Sequence, residues 1–166
     1  MARGILEIDG RRIELTDAQV EELLKGKEEK KTPFTRVERS ENYYCISYLG
    51  EVVKEIESDS IVERQLHGNA NYCTDGELMK QRALHEILDR LLWRFSMEND
   101  GDKIDWGNEY SSKYYIYFNN KEKRFVTNNN RYNQYSVIYF YSEEIAKRAI
   151  KEIIEPIMKK HPEFVW

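Results

Sequence analysis

The chain has 166 residues, of which 40% are hydrophobic and 34% charged, and its formal net charge is −4. That length can bury a core without disulfide or metal staples, and no apolar run approaches the ~18 residues of a membrane span, so no membrane partner is expected. The amino terminus lacks the basic-then-apolar layout of an export signal, and Cys45 and Cys73 stand outside any Cys-x-x-Cys pair, so a reducing cytoplasm is the expected compartment. Charge is unevenly spread: residues 1–109 hold 24 acids and 16 bases, residues 110–166 hold 6 and 10. Such polarity can present different faces to different partners.

Asp9-Gly10 lies between the apolar-rich arms Ile5-Leu6-x-Ile8 and Ile13-x-Leu15, the signature of a two-residue hairpin turn. Thr16 with Gln19 has capping-box spacing and predicts a short helix to about Leu24. Residues 25–31 carry no apolar side chain and read as a charged linker. The expected organisation is an arm, residues 1–31, and an α+β body, residues 32–166.

The body reads as two halves on one plan, about 40–98 and 110–160. The first has an aromatic strand over residues 42–48, a turn at Leu49-Gly50, a polar stretch, and then Asn71-Tyr72-Cys73 entering a helix. Thr74 with Glu77 is its candidate capping box, and Leu84, Leu88, Leu91 and Phe95, widened by Ile87 and Leu92, form its apolar stripe. The second half has a strand over residues 113–118, a turn at Asn119-Asn120, a strand around residues 124–126, an Asn-rich loop, and residues 137–141 entering another helix. Ser142 is the candidate cap there, Ala146, Ala149, Ile150, Ile153 and Ile157 the stripe, and Pro156 the expected stop or kink. Tyr43-Tyr44 and Tyr114-Tyr115 are 71 residues apart, and Tyr72 and Tyr139 are 67 apart, which suggests a degenerate ββ(β)α duplication. Antiparallel strands with helices packed on one face is the architecture this predicts.

No catalytic constellation emerges. His67, His85 and His161 are widely separated, no short-range ligand pairs mark a zinc site, and residues 100–105 fail the calcium-loop pattern, with Ile104 and Asp105 at its fifth and sixth positions. There is no phosphate-binding glycine loop, nucleophile elbow or dinucleotide fingerprint, so neither catalytic residue, metal ligand nor cofactor is assigned.

Tyrosine is the feature that stands out, with eight of the twelve lying between residues 110 and 141. Strand alternation with Ile116, Phe118, Ile138 and Phe140 facing the core turns Lys113, Tyr115, Tyr117, Tyr139 and Tyr141 to the other face, bordered by Arg124 and Arg131. An aromatic and basic face of this kind serves protein interfaces, and equally single-stranded nucleic acid or nucleotides by stacking. The glycine that an RNA-recognition strand needs is missing from Lys121-Glu-Lys-Arg-Phe-Val126.

Thr32-Pro-Phe-x-Arg-Val-Glu38, Tyr43-Tyr44, Gly50-Glu51-Val52, Lys103-Ile-Asp-Trp106, Lys113-Tyr-Tyr-Ile-Tyr117, Val137-Ile-Tyr-Phe-Tyr-Ser142 and Glu144-Ile-Ala-Lys147 together resemble a group of uncharacterised accessory proteins of phages and prophages of clostridia and their relatives. The resemblance covers most of the chain, rests on structural rather than chemical motifs, and departs over residues 72–83. It implies a mobile-element origin; by association with phage accessory proteins that antagonise host defence, the expectation is a non-enzymatic, anti-CRISPR-like inhibitor that binds a host defence effector or nuclease complex in the cytoplasm of a bacterial host. The alternative is a module that binds single-stranded nucleic acid or a signalling nucleotide. A hairpin and one short helix are too small to be stable alone, so the arm is expected to dock on the body, on a second copy of the chain (self-association) or on the partner.

Overall fold

Asp9 and Gly10 take φ of 50° and 76°, the left-handed pair that a two-residue hairpin turn requires. Around them β1 (Gly4–Ile8) and β2 (Arg11–Leu15) pair antiparallel, with Ile8 opposite Arg11. The reciprocal box then opens α1 (Asp17–Lys25): Thr16 N–H donates to Gln19 Oε1 at 3.0 Å, and Gln19 N–H to Thr16 Oγ1 at 3.4 Å. In this computed structural model residues 4–25 and 31–165 are described, so most of the charged run lies outside them. The chain divides into two compact units, Met1–Thr35 and Arg36–Trp166.

In the second unit, β3 (Asn42–Ile46) and β4 (Val52–Ile56) form a hairpin whose turn needs Gly50 at φ 85°. The polar stretch that follows contains a helix absent from the sequence reading, α2 (Ile61–Gly68). Its start signal is Ser60-x-x-Glu63, in which Ser60 N–H donates to Glu63 Oε2 at 2.6 Å and Glu63 N–H to Ser60 Oγ at 3.4 Å. Cys73 pairs with Tyr44 as an antiparallel bridge, and the chain enters α3 (Gly76–Glu98). The cap is Asp75, not the expected Thr74, because Asp75 Oδ1 accepts the Glu77 and Leu78 N–H groups at 2.9 and 3.1 Å. A carboxylate satisfies both donors and also opposes the positive end of the helix dipole.

After a short 3-10 turn, Gly101–Lys103, comes the sheet β6-β5-β7, built from β5 (Lys113–Asn119), β6 (Arg124–Asn130) and β7 (Tyr139–Phe140). The first part of the expected Asn-rich loop is strand. Asn128, Asn129 and Asn130 pair with Tyr115, Tyr114 and Lys113, so cross-strand pairing overrides the poor strand propensity of asparagine. Of residues 137–141, only Tyr139 and Phe140 are strand.

Ser142 caps α4 (Glu143–Ala149) by accepting Ile145 N–H at 3.3 Å. The helix does not stop at Pro156. It passes through a π turn, Ile150–Ile154, into α5 (Glu155–Lys160), and Glu155 N–H reaches back to Ile150 O. Proline cannot donate to the carbonyl four residues back, and the widened turn gives its ring room. The extra residue also rotates the stripe: Ala146 and Ala149 are buried as expected, but Ile154 is buried where Ile153 and Ile157 are only half-buried.

The main core lies between α3, the C-terminal helical rod and one face of the three-stranded sheet. Leu88, Leu92, Phe95, Phe140, Ala146, Ala149, Ile154 and Phe164 form it, with Tyr114 and Ile116 packed against it. Full burial of each large side chain contributes about 1.5–3 kcal/mol. A second, smaller core under α2 holds Tyr43, Cys45 and Tyr72 with Val37, Val53 and Leu66. Among the described residues no helix is long and apolar enough to cross a membrane.

Candidate functional site

Lys113 and Asn130 form the last pair of the β5–β6 ladder, and β7 joins β5 on its other edge through Tyr114–Phe140 and Tyr115–Tyr139. Residues 107–112 therefore enter β5 at the same end of the sheet where residues 131–138 cross from β6 to β7. Two loops are brought together there. Their sequences, Gly-Asn-Glu-Tyr-Ser-Ser and Arg-Tyr-Asn-Gln-Tyr-Ser, are rich in tyrosine and small polar residues. Tyr110, Tyr132 and Tyr135 project into solvent, Tyr135 with 99% of its surface exposed.

Both loops are tied from beneath. Lys113 is 1% exposed, and its Nζ donates to Asn108 O at 3.2 Å and Ser111 O at 3.1 Å while lying 5.8 Å from the Trp106 ring centroid. Tyr139 is 4% exposed; its hydroxyl accepts Gln134 N–H at 3.1 Å and donates to Tyr132 O at 3.0 Å. Side-chain turns stiffen the loops further: Asn108 Oδ1 accepts Tyr110 N–H at 2.9 Å, and Asn130 Oδ1 accepts Tyr132 N–H at 3.1 Å.

These contacts correct the expected open face. Tyr115, Tyr117 and Tyr139 do share one side of the sheet, with Tyr139 6.0 Å from Tyr115 and Tyr115 6.2 Å from Tyr117 between ring centroids. Trp106 folds over that side, however, and meets Tyr139 edge-on at 5.4 Å. Lys113 and Tyr139 are thus under the loops rather than on the surface. Tyr115 is half-buried, Tyr117 and Tyr141 are exposed, and Arg131 stands exposed at the start of the second loop. Arg124 is at the far end of β6 and is ion-paired with Glu122 at 2.6 Å. The seven residues are not one contiguous patch.

Beside the loops, α3 presents Trp93, 61% exposed, and Met97 one turn later. Trp93 separates two hollows. One, of about 310 Å³, is lined by Trp93, Met97, Asp102, Trp106, Asn133 and Val137 among others. The other, of about 330 Å³, has Asp89, Arg90 and Ser136 on its walls. Gly101 lets the 3-10 turn close against the end of α3, since a Cβ there would sit 2.6 Å from Ser96 O. Sequence reasoning missed Trp93 and Met97 because they ride on a helix read only for its apolar stripe. Their position off that stripe was the available signal.

A second polar cluster lies where Arg36 meets the β3–β4 hairpin. Glu57 is 2% exposed, and its carboxylate accepts Arg36 Nε at 3.1 Å, Arg36 Nη2 at 2.6 Å, the Tyr72 hydroxyl at 2.9 Å and Asp59 N–H at 2.8 Å. The Arg36 guanidinium is the main cause that holds Glu57 down at about 2, against a burial effect in the opposite sense. Burial pushes the Tyr72 hydroxyl up to about 12. A carboxylate locked in its charged form by four donors is a poor proton shuttle, and the cluster reads as a clamp joining Arg36, the turn before α2 and Tyr72. Cys45 and Cys73 are free and buried, and among the described residues no three His, Cys, Asp or Glu side chains gather as a metal would require. Comparison with protein-family models, with curated proteins and with solved structures returns no match.

Proposed function

We propose that this chain is a binding protein that docks on another protein through the paired loops 107–112 and 131–136 and the neighbouring Trp93–Met97 ledge. One observation carries the reading: tyrosines are displayed outward on loops that buried polar groups hold from below. Tyrosine and tryptophan bury large areas with few torsions to freeze, asparagine and serine adapt their hydrogen bonds, and pre-ordered loops lose less entropy on association. The resemblance to phage accessory proteins supports a host defence effector, such as a CRISPR nuclease, as the class of target and inhibition without catalysis as the mode. A nucleic-acid surface is less well served, because Lys113 is buried and Arg124 is paired with Glu122.

On the same reading the body is a degenerate duplication. Tyr72 and Tyr139 stand 67 residues apart, as do the caps Asp75 and Ser142. Each tyrosine hydroxyl makes two hydrogen bonds to segments away from its own, Tyr72 by accepting Val37 N–H at 3.2 Å, just ahead of its half, and donating to Glu57.

The test is co-purification of the full chain with candidate defence nucleases, followed by surface-binding and cleavage measurements. Binding that falls at least tenfold in the Tyr132→Ala, Tyr135→Ala double variant, with an unchanged melting curve, is the expected result. Binding to these nucleases that ignores the double variant, or no binding to any of them, overturns the assignment.

A further inference from the structure

Carboxylates border both hollows beside the Trp93 ledge. Asp89, Trp93 and Met97 fall at four-residue intervals along α3, one stripe about 12 Å long. Asp89 borders the hollow on one side of Trp93, and Asp102 borders the hollow on the other. Asp105 and Glu109 follow on the loop that carries Trp106. Among the described residues none of these four carboxylates has a cationic partner within ion-pair distance, whereas Glu98 and Asp100 are matched by Arg94 and Lys103. The nearby cations do not cancel them. Lys103 is paired with Asp100, and Lys113 is buried under Trp106 with its Nζ on Asn108 O and Ser111 O. Arg90 reaches to the β3–β4 turn, its Nη2 3.3 Å from where a Gly50 Cβ would sit, and Arg131 is a single charge on the second loop.

An exposed indole flanked by unpaired carboxylates is an environment for a cation that also has apolar surface. The ring face attracts a guanidinium or ammonium, the carboxylates neutralise it, and the stem packs on Met97 and Val137. We infer that the ledge receives a cationic segment of a partner protein, with an arginine or lysine seated against Trp93 between Asp89 and Asp102 and an apolar side chain in the hollow by Trp106. Arginine is the better fit, because its planar group stacks on an indole and bonds a carboxylate at its edge at the same time. Neighbouring tyrosines on the loops would close the rim. This rests on the protein-binding reading above and adds the chemistry of the partner.

A library of random twelve-residue peptides displayed on phage, panned on the immobilised full chain, tests the inference. The enriched peptides are expected to carry arginine or lysine next to an aliphatic or aromatic residue. As synthetic peptides they should lose about tenfold in affinity to Trp93→Ala and a similar factor to the Asp89→Asn, Asp102→Asn pair. Affinity should also weaken as salt rises from 50 to 300 mM, on the order of severalfold. Neutral or acidic consensus peptides, or basic peptides indifferent to those substitutions, overturn it, as does a panning that enriches nothing. Peptides that are not basic but depend on Tyr132 and Tyr135 would remove this inference alone and leave the loop surface standing as a protein-binding site.

Discussion

Replacing Tyr139 with phenylalanine removes one oxygen and keeps the ring that packs on Trp106 and Tyr115. That oxygen makes two hydrogen bonds, to Gln134 N–H at 3.1 Å and Tyr132 O at 3.0 Å. Each is worth about 1 kcal/mol net, so about 2 kcal/mol of anchoring is lost from residues 131–136. Tyr132 and Gln134 are exposed, and water can take the place of the hydroxyl, so the larger penalty of a buried unsatisfied group does not apply. Loop opening should therefore increase about 30-fold, while the melting temperature falls by only a few degrees. Amide hydrogen exchange by NMR separates these effects. The informative reporter is the Tyr132 N–H, which bonds Asn130 Oδ1 and loses nothing directly, with the α3 amides as an internal reference. Unchanged exchange at Tyr132 would refute the anchoring argument. Uniform acceleration that includes α3 would make Tyr139 a general core residue instead.

Lys113→Met, which keeps the length and removes the ammonium, should free residues 107–112 by a similar factor and shift Trp106 fluorescence, with little change in the α3 amides; an unaltered Trp106 signal would contradict it. Glu57→Gln should destabilise the body by about 2–3 kcal/mol in denaturant titrations at pH 7, because it removes the buried one of Arg36's two carboxylate partners and leaves only the exposed Asp59. Glu57 has its folded pKa near 2, below the ordinary value of 4.5, so its contribution is complete above about pH 4.5 and is lost as pH falls toward 2. The acid limb of stability should accordingly flatten in Glu57→Gln, and an unchanged limb would remove the clamp from the account. Deleting residues 1–35 should leave residues 36–166 with a cooperative melt, since that unit contains both cores; a truncated chain without one would place the arm within the body's core.

The elements with local chemistry were readable. Asp9-Gly10, Thr16 with Gln19, the Leu84–Leu88–Phe95 stripe (in which Leu92 rather than Leu91 enters the core) and the Ser142 cap each depend on residues within a turn or two of one another. The α2 helix was equally local in its Ser60–Glu63 box but lacked an apolar run to draw attention. What failed was long-range. Alternation correctly turned Lys113 and Tyr139 away from the main core, yet nothing in β5 or β7 could announce that Trp106 and two loops would close over them. Arg36 and Glu57 are 21 residues apart and meet only because the β3–β4 hairpin folds back. The shift from Ile153 to Ile154 required knowing that the chain would widen a turn before Pro156 rather than end there.

Tyr139 and Lys113 grip their loops almost wholly through main-chain atoms: Tyr132 O, Gln134 N, Asn108 O and Ser111 O. A grip on the backbone is indifferent to the side chains above it. The outward positions of both loops can therefore be rewritten, one contact surface exchanged for another, without a matching change in the framework below. On the proposed reading of these loops as a contact surface, that separation is an economy of substitution: Tyr110, Tyr132 and Tyr135 can change while the residues that keep the loops in shape stay where they are.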